Sequence, residues 1–133
     1  MIGLDSWIFL EFFSMTDKWL KCKKILESKE KKVISPIVLM EIKFKGTKKF
    51  GEKKTSEILR KIKESKSIVI FNLNKTIAEL AADLRLKYYD KKAKPVSYAD
   101  MINLATSIMT KCKIFYSGDP DFEGIKEIKT VII

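Results

Sequence analysis

Histidine and glutamine are both missing from the 133 residues. Without an imidazole the chain cannot build a Ser-His-Asp triad, a Cys-His nucleophile or a His-ligated zinc centre. Cysteine is scarce too: Cys22 and Cys112 stand alone, with no C-x-x-C spacing, which leaves neither a disulfide framework nor a thiolate metal cluster. They read as two reduced, partly buried thiols of an intracellular protein. No apolar run approaches the length that spans a bilayer, and Asp5 interrupts Met1-Ile2-Gly3-Leu4 before a secretory segment can form. A cytoplasmic location without a membrane partner is expected. Only Arg60 and Arg85 are arginines, so nearly all the positive charge is lysine. Lysine attracts phosphates diffusely and lacks the planar fork that reads guanine edges, which argues against sequence-specific DNA readout.

What is present begins with that charge. Lys+Arg 27 against Asp+Glu 17 gives 27 − 17 = +10, a balance that favours a polyanionic partner, nucleic acid ahead of a membrane. The length suits a single domain over residues 1–133 with a real hydrophobic core. Ile2-Gly3-Leu4, Val33-Ile34, Ser67–Phe71, Ile114–Tyr116 and Ile128–Ile133 read as short strands. Between them lie helical patterns. Ser6 is placed to cap an apolar run (Trp7, Ile8, Phe9, Leu10, Phe12, Phe13), Thr16-Asp17 to start a second helix, and Pro36 to open a third that ends near Phe44. Further helices are expected from Thr55 to Glu64, after the Asn74 cap to Tyr88, and after Ser97 to Met109. Residues 43–54 (KFKGTKKFGEKK) read as an exposed connection. Strands alternating with helices predict a three-layer α/β/α sandwich around a mainly parallel sheet of about five strands.

Acids stand at the punctuation points of this pattern. Asp5 closes the first strand, where its charge must cap a helix, face solvent or meet a cation. Glu41 interrupts an apolar stretch one helical turn beyond Ile37, although a surface pair with Lys45 would also account for it. Asp100 lies three residues after Ser97 and so also fits a capping box, while the shorter Asp reaches back less well than Glu. Asp119 and Asp121 follow the fourth strand within Ser117-Gly118-Asp119-Pro120-Asp121-Phe122. Taken singly, each is an ordinary cap or turn residue. Gathered at the carboxyl edge of a parallel sheet, where open α/β folds bind ligands, they could not all stay ionised without a cation. An all-oxygen donor set selects a hard ion such as Mg²⁺ or Mn²⁺, which can assist phosphodiester hydrolysis.

Four segments in order (Ile2-Gly3-Leu4-Asp5-Ser6, Glu41 in the helix after Ser35-Pro36, Ser97 to Ala105, and Tyr116 to Phe122) resemble the PIN domain. The likeness is greatest to the small VapC-type toxins of prokaryotes. The resemblance implies a Mg²⁺- or Mn²⁺-dependent endoribonuclease whose catalytic acids are Asp5, Glu41, Asp100 and Asp119. Asp5, Asp100, Asp119 and Asp121 would hold the metal, with Ser6 and Ser117 as accessory hydroxyls. It also implies a homodimer and a small inhibitory antitoxin. Lys43, Lys45, Lys48, Lys49, Lys53 and Lys54 are then candidates for attracting the RNA backbone. Trp7, Phe9, Phe12 and Phe13 supply more aromatic surface than one helix face hides, and part of it is expected at the dimer or antitoxin contact. The competing class is a catalytically inactive RNA- or protein-binding module in which the acids only cap helices. A receiver domain fits poorly, because Asp5 has no acidic neighbour.

Overall fold

A computed structural model describes residues 1–133 and gives five strands and six helices. The strands are β1 (Ile2–Leu4), β2 (Lys32–Ile34), β3 (Ile68–Ile70), β4 (Ile114–Ser117) and β5 (Lys129–Ile132). The helices are α1 (Ser6–Ser14), α2 (Trp19–Glu27), α3 (Pro36–Phe50), α4 (Glu52–Glu64), α5 (Lys75–Tyr88) and α6 (Tyr98–Met109). The sheet order is β3-β2-β1-β4-β5, and every neighbouring pair is parallel. No helix is long and apolar enough to cross a membrane.

Side chains alternate across these short strands, so the sheet feeds two separate cores. On one face Ile2, Leu4 and Ile34 join Ile8, Phe9, Val38, Ile42, Ile58 and Ile62 from α1, α3 and α4. On the other, Val33 and Phe115 join Ile77, Ala81, Leu84, Met101 and Leu104 from α5 and α6. This is the expected three-layer α/β/α sandwich, with the sheet covered on both faces.

Two local readings are corrected. The stretch read as a connection, residues 43–54, is mostly helix: α3 runs on to Phe50 and α4 starts at Glu52. Gly46 is no breaker, because it gives the close approach that lets Thr55 of α4 pack on α3, with a Cβ position 3.1 Å from the Thr55 hydroxyl. The chain turns at Gly51 instead, whose φ of 84° suits glycine. Second, α1 is capped by Asp5 and not by Ser6, which is its first residue. The α1 aromatics divide between core and surface. Phe9 is fully buried, and Trp7, Phe12 and Phe13 are half-buried against the same cluster. α1 packs against the sheet, α2 and α3. The thiols of Cys22 and Cys112 are free and buried, as expected.

Gly3 sets the distance between α6 and the sheet. A Cβ there would lie 1.9 Å from Ser107 Oγ and 2.6 Å from Ser107 Cβ. Gly3→Ala should therefore cost about 1–3 kcal/mol, as overpacking does, and Ser107→Gly should recover part of that loss. Urea denaturation of the two single variants and the double variant checks this; strictly additive losses would show that the contact does not set the spacing.

Candidate active site

With β1 at the centre of the order, connections leave in opposite directions on its two sides, which opens a crevice beyond the carboxyl ends of β1 and β4. Asp5 follows β1 directly. Its backbone N–H donates to the Tyr116 carbonyl at 3.0 Å, tying it to β4. Its carboxylate is 5 % exposed and both oxygens are used. Oδ1 accepts from the Ser6 backbone N–H at 2.9 Å, and Oδ2 accepts from the buried Ser117 hydroxyl at 2.7 Å. Ser117 Oγ accepts in turn from the Asp119 N–H at 3.0 Å. Asp119 Oδ1 then takes the Asp121 N–H at 2.9 Å, capping the 3₁₀ turn Pro120–Phe122. One hydrogen-bonded chain thus runs from β1 through β4 into the acidic turn.

A second chain approaches from β2 and α6. The Ser35 hydroxyl caps α3 by accepting from the Ile37 N–H at 3.1 Å, and donates its own proton to Asn103 Oδ1 at 2.5 Å. That contact fixes the Asn103 amide so that Nδ2 faces Glu41 Oε1, 2.9 Å away. Glu41 forms no ion pair with Lys45; the α6 amide holds it instead. Ser35 and Asn103 are the site residues that sequence reasoning missed. The available signal was a lone amide among Met101, Ile102, Leu104 and Ala105, since a buried polar group needs a partner.

Asp100 completes the capping box despite its short side chain: Oδ2 accepts from the Ser97 N–H at 2.9 Å and the Asp100 N–H donates to Ser97 Oγ at 3.0 Å. Capping leaves Asp100 Oδ1 and Asp119 Oδ2 without a hydrogen bond.

The acids interact electrostatically across the crevice. Burial pushes Asp5 up to about 6; the Ser117 hydrogen bond opposes this, and the charges of Glu41 and Asp100 add to it. Glu41 is likewise raised, first by burial and further by Asp100, while Asn103, Lys45 and the nearby Ser6 hydroxyl pull it down. Asp121 is raised by desolvation, then by Asp119 and Asp100, with Lys94 opposing. The structure therefore brings Asp5, Glu41, Asp100, Asp119 and Asp121 to one sheet edge. No three of them are gathered closely enough to hold an ion as they stand. Fit to a cation rests on donor chemistry: oxygen atoms only, crowded like charges, and free lone pairs on Asp100 and Asp119.

The six candidate lysines are all exposed on α3 and α4, outside the crevice. Lys48 lies 4.3 Å from the Phe44 ring centroid and Lys54 4.7 Å from that of Phe50.

The raised pKa of Asp5 has a stability consequence. Between its ordinary value of 3.8 and about 6, the folded state holds a proton that the unfolded state has released. Stability of the metal-free protein must then fall as pH rises through that window, by at most about 3 kcal/mol. Asp5→Asn should flatten this fall; thermal melts in EDTA at several pH values check it, and an unchanged slope would remove Asp5 as the source. Asn103→Ala strands the Ser35 hydroxyl and Glu41 together, and should cost about 1–3 kcal/mol in denaturant melts.

The PIN domain family model matches residues 2–128. No curated protein matches the chain by sequence. Among solved structures, a toxin–antitoxin complex from Klebsiella pneumoniae is 26% identical, with a TM-score of 0.71 and coverage of 99% of this chain and 98% of that one. VapC20 of Mycobacterium tuberculosis, a toxin that cleaves the sarcin-ricin loop, is 19% identical with a TM-score of 0.78, covering 96% and 98%. VapBC2 from Rickettsia felis, bound to a DNA fragment from its promoter, is 16% identical with a TM-score of 0.74, covering 99% and 98%.

Proposed function

The chain belongs to the PIN domain family, and we propose that it is a divalent-metal-dependent endoribonuclease, the toxin of a VapBC-type pair. The observation that carries this reading is the convergence of Asp5, Glu41, Asp100 and Asp119, from four separate segments, on the crevice beside β1 and β4, with burial first and the neighbouring acid charges second raising Asp5 and Glu41. Stability alone gives no reason to assemble such a cluster, because each added carboxylate raises the cost of ionising the others. Perturbed acids in a cleft are the mark of a working site.

Asp5, Asp100 and Asp119, with Asp121 beside them, would hold Mg²⁺ or Mn²⁺. When bound, such an ion supplies Lewis-acid stabilisation of the phosphoryl and leaving oxygens. The chain's own residues do the rest. Ser117 holds the Asp5 carboxylate in one orientation through its donated proton. Glu41, held as an acceptor by Asn103 Nδ2, is placed to orient a water and take its proton as the water oxygen attacks phosphorus and the P–O ester bond breaks. The leaving oxygen departs with a proton from solvent. The lysines of α3 and α4 supply a diffuse field that concentrates RNA near the crevice. A cytoplasmic location, a homodimer and a small protein antitoxin complete the reading, and the toxin–antitoxin assemblies among the similar structures support the last of these.

Purified protein incubated with total RNA should cleave it with Mn²⁺ or Mg²⁺ and stop in EDTA. Asp119→Asn should lower the rate by at least about 100-fold, the scale on which a single electrostatic contact to the transition state acts. Saturating metal should also raise the melting point of the wild type by mass action, and this shift should shrink in Asp119→Asn. RNA binding without cleavage under every metal condition would favour the inactive binding module, in which the acids only cap helices.

A further inference from the structure

Arg85 is one of only two arginines in the chain, and it has no acidic partner. Its guanidinium lies between two tyrosine rings, 4.3 Å from the Tyr89 centroid and 4.1 Å from that of Tyr98. Arg85 Nε donates to the Val96 carbonyl at 3.2 Å, which fixes the group across the α5–α6 connection. Tyr98 is 67 % exposed, and neither tyrosine hydroxyl has a hydrogen-bond partner within the chain. Ala82, Arg85, Leu86, Tyr89 and Tyr98 line a groove of about 360 Å³, a volume in the range of small-ligand sites. Tyr98 and Asp100 share the first turn of α6, so the groove lies by the helix start that carries Asp100.

We infer that the Tyr98 ring, backed by Arg85 and Tyr89, stacks an unpaired base of an RNA strand whose backbone runs into the acid crevice. The inference rests on the nuclease reading and adds to it a base-contacting residue, Tyr98, outside the acid crevice. Three observations favour a base over other occupants. An aromatic ring with an arginine held on one side offers the stacking surface and positive charge that single strands use. The unpaired guanidinium suits a nearby phosphate, and closing it into an apolar protein contact would strand a charge. The net charge of +10 draws a polyanion to the protein. Leu86, 85 % exposed on the groove wall, is the feature that a protein contact would use, so a second copy is the rival occupant.

The test is fluorescence anisotropy of a labelled, mixed-sequence single-stranded RNA oligonucleotide in EDTA, where binding is read without cleavage. Tyr98→Ala should weaken binding by about 5- to 150-fold, the range that loss of one stacked base covers. Tyr98→Phe should keep wild-type affinity, because the ring is retained. Arg85→Gln should weaken binding and lower the salt dependence by about one phosphate contact, whereas Tyr98→Ala should leave that slope unchanged. An abasic position moved along the oligonucleotide should reproduce the wild-type loss at one place and cause no further loss there in Tyr98→Ala. Unchanged affinity in Tyr98→Ala, or an equal loss with every abasic position, would overturn the platform. So would a fall from dimer to monomer mass on light scattering of that variant, which would assign the groove to a second copy. Parallel cleavage with Mn²⁺ separates the two readings: cleavage with unaltered Tyr98→Ala binding sinks only the platform, and stacking without cleavage sinks only the nuclease.

Discussion

The hydrogen bond from Ser117 to Asp5 joins residues 112 positions apart and closes the point on which the site depends. It crosses from the end of β4 to the end of β1, the two strands between which the sheet's connections diverge. A buried carboxylate here is tolerable only because a hydroxyl and a backbone N–H donate to it, and even so burial pushes its pKa up to about 6. The same serine accepts from Asp119, so the position of the acidic turn follows from the position of Asp5. Holding this geometry requires β1 and β4 to be in register and α6 to lie close on the sheet. Gly3 provides that closeness, since any side chain would collide with Ser107.

Capping and ligation are usually weighed as alternatives for an acid at a helix start. Here they are compatible, because a carboxylate has two oxygens. Asp100 spends Oδ2 on its capping box and Asp119 spends Oδ1 on the 3₁₀ turn, and each keeps one oxygen unbonded. The cap contributes more than local stability: it fixes the rotamer of the acid and so aims the remaining oxygen. Asp5 shows the other limit, with both oxygens occupied by the protein. Glu41, inside a helix and unable to cap, is aimed instead by a relay from the Ser35 hydroxyl through the Asn103 amide.

Much of this was legible in the residues. Short β-branched or apolar runs bounded by turn formers marked the strands, and acids at the ends of those runs marked the crevice. The boundaries of the second helical pair were hidden, because Gly46 looks like a breaker and acts as a packing contact with Thr55. No local pattern separates those roles. The aromatic run of α1 divides its roles: Phe9 is buried, Trp7 lies over Gly118, where a Cβ would meet the indole at 2.1 Å, and Phe12 and Phe13 stay half-exposed. A helix enclosed on several sides shows the same composition as one that waits for a partner. The Ser35–Asn103–Glu41 relay was invisible because it joins segments 62 and 68 residues apart.

The charge distribution connects the two halves of the surface. An acidic crevice by itself repels RNA, and its carboxylates would slow the approach of any phosphate. Lysines spread over α3 and α4 offset that repulsion at a distance without entering the crevice, since a lysine among the acids would compete with a cation for their oxygens. Diffuse lysine attraction carries no information about which nucleotide arrives. Selectivity therefore has to come from elements at the rim whose geometry is fixed. Arg85, clamped between two rings and tied to the Val96 carbonyl, is such an element, and the flexible lysines are not. In the proposed reading the division of labour follows from side-chain physics: mobile ammonium groups would raise the local concentration of RNA, a rigid cation–aromatic stack would orient one nucleotide, and the clustered carboxylates would act on the phosphate next to it.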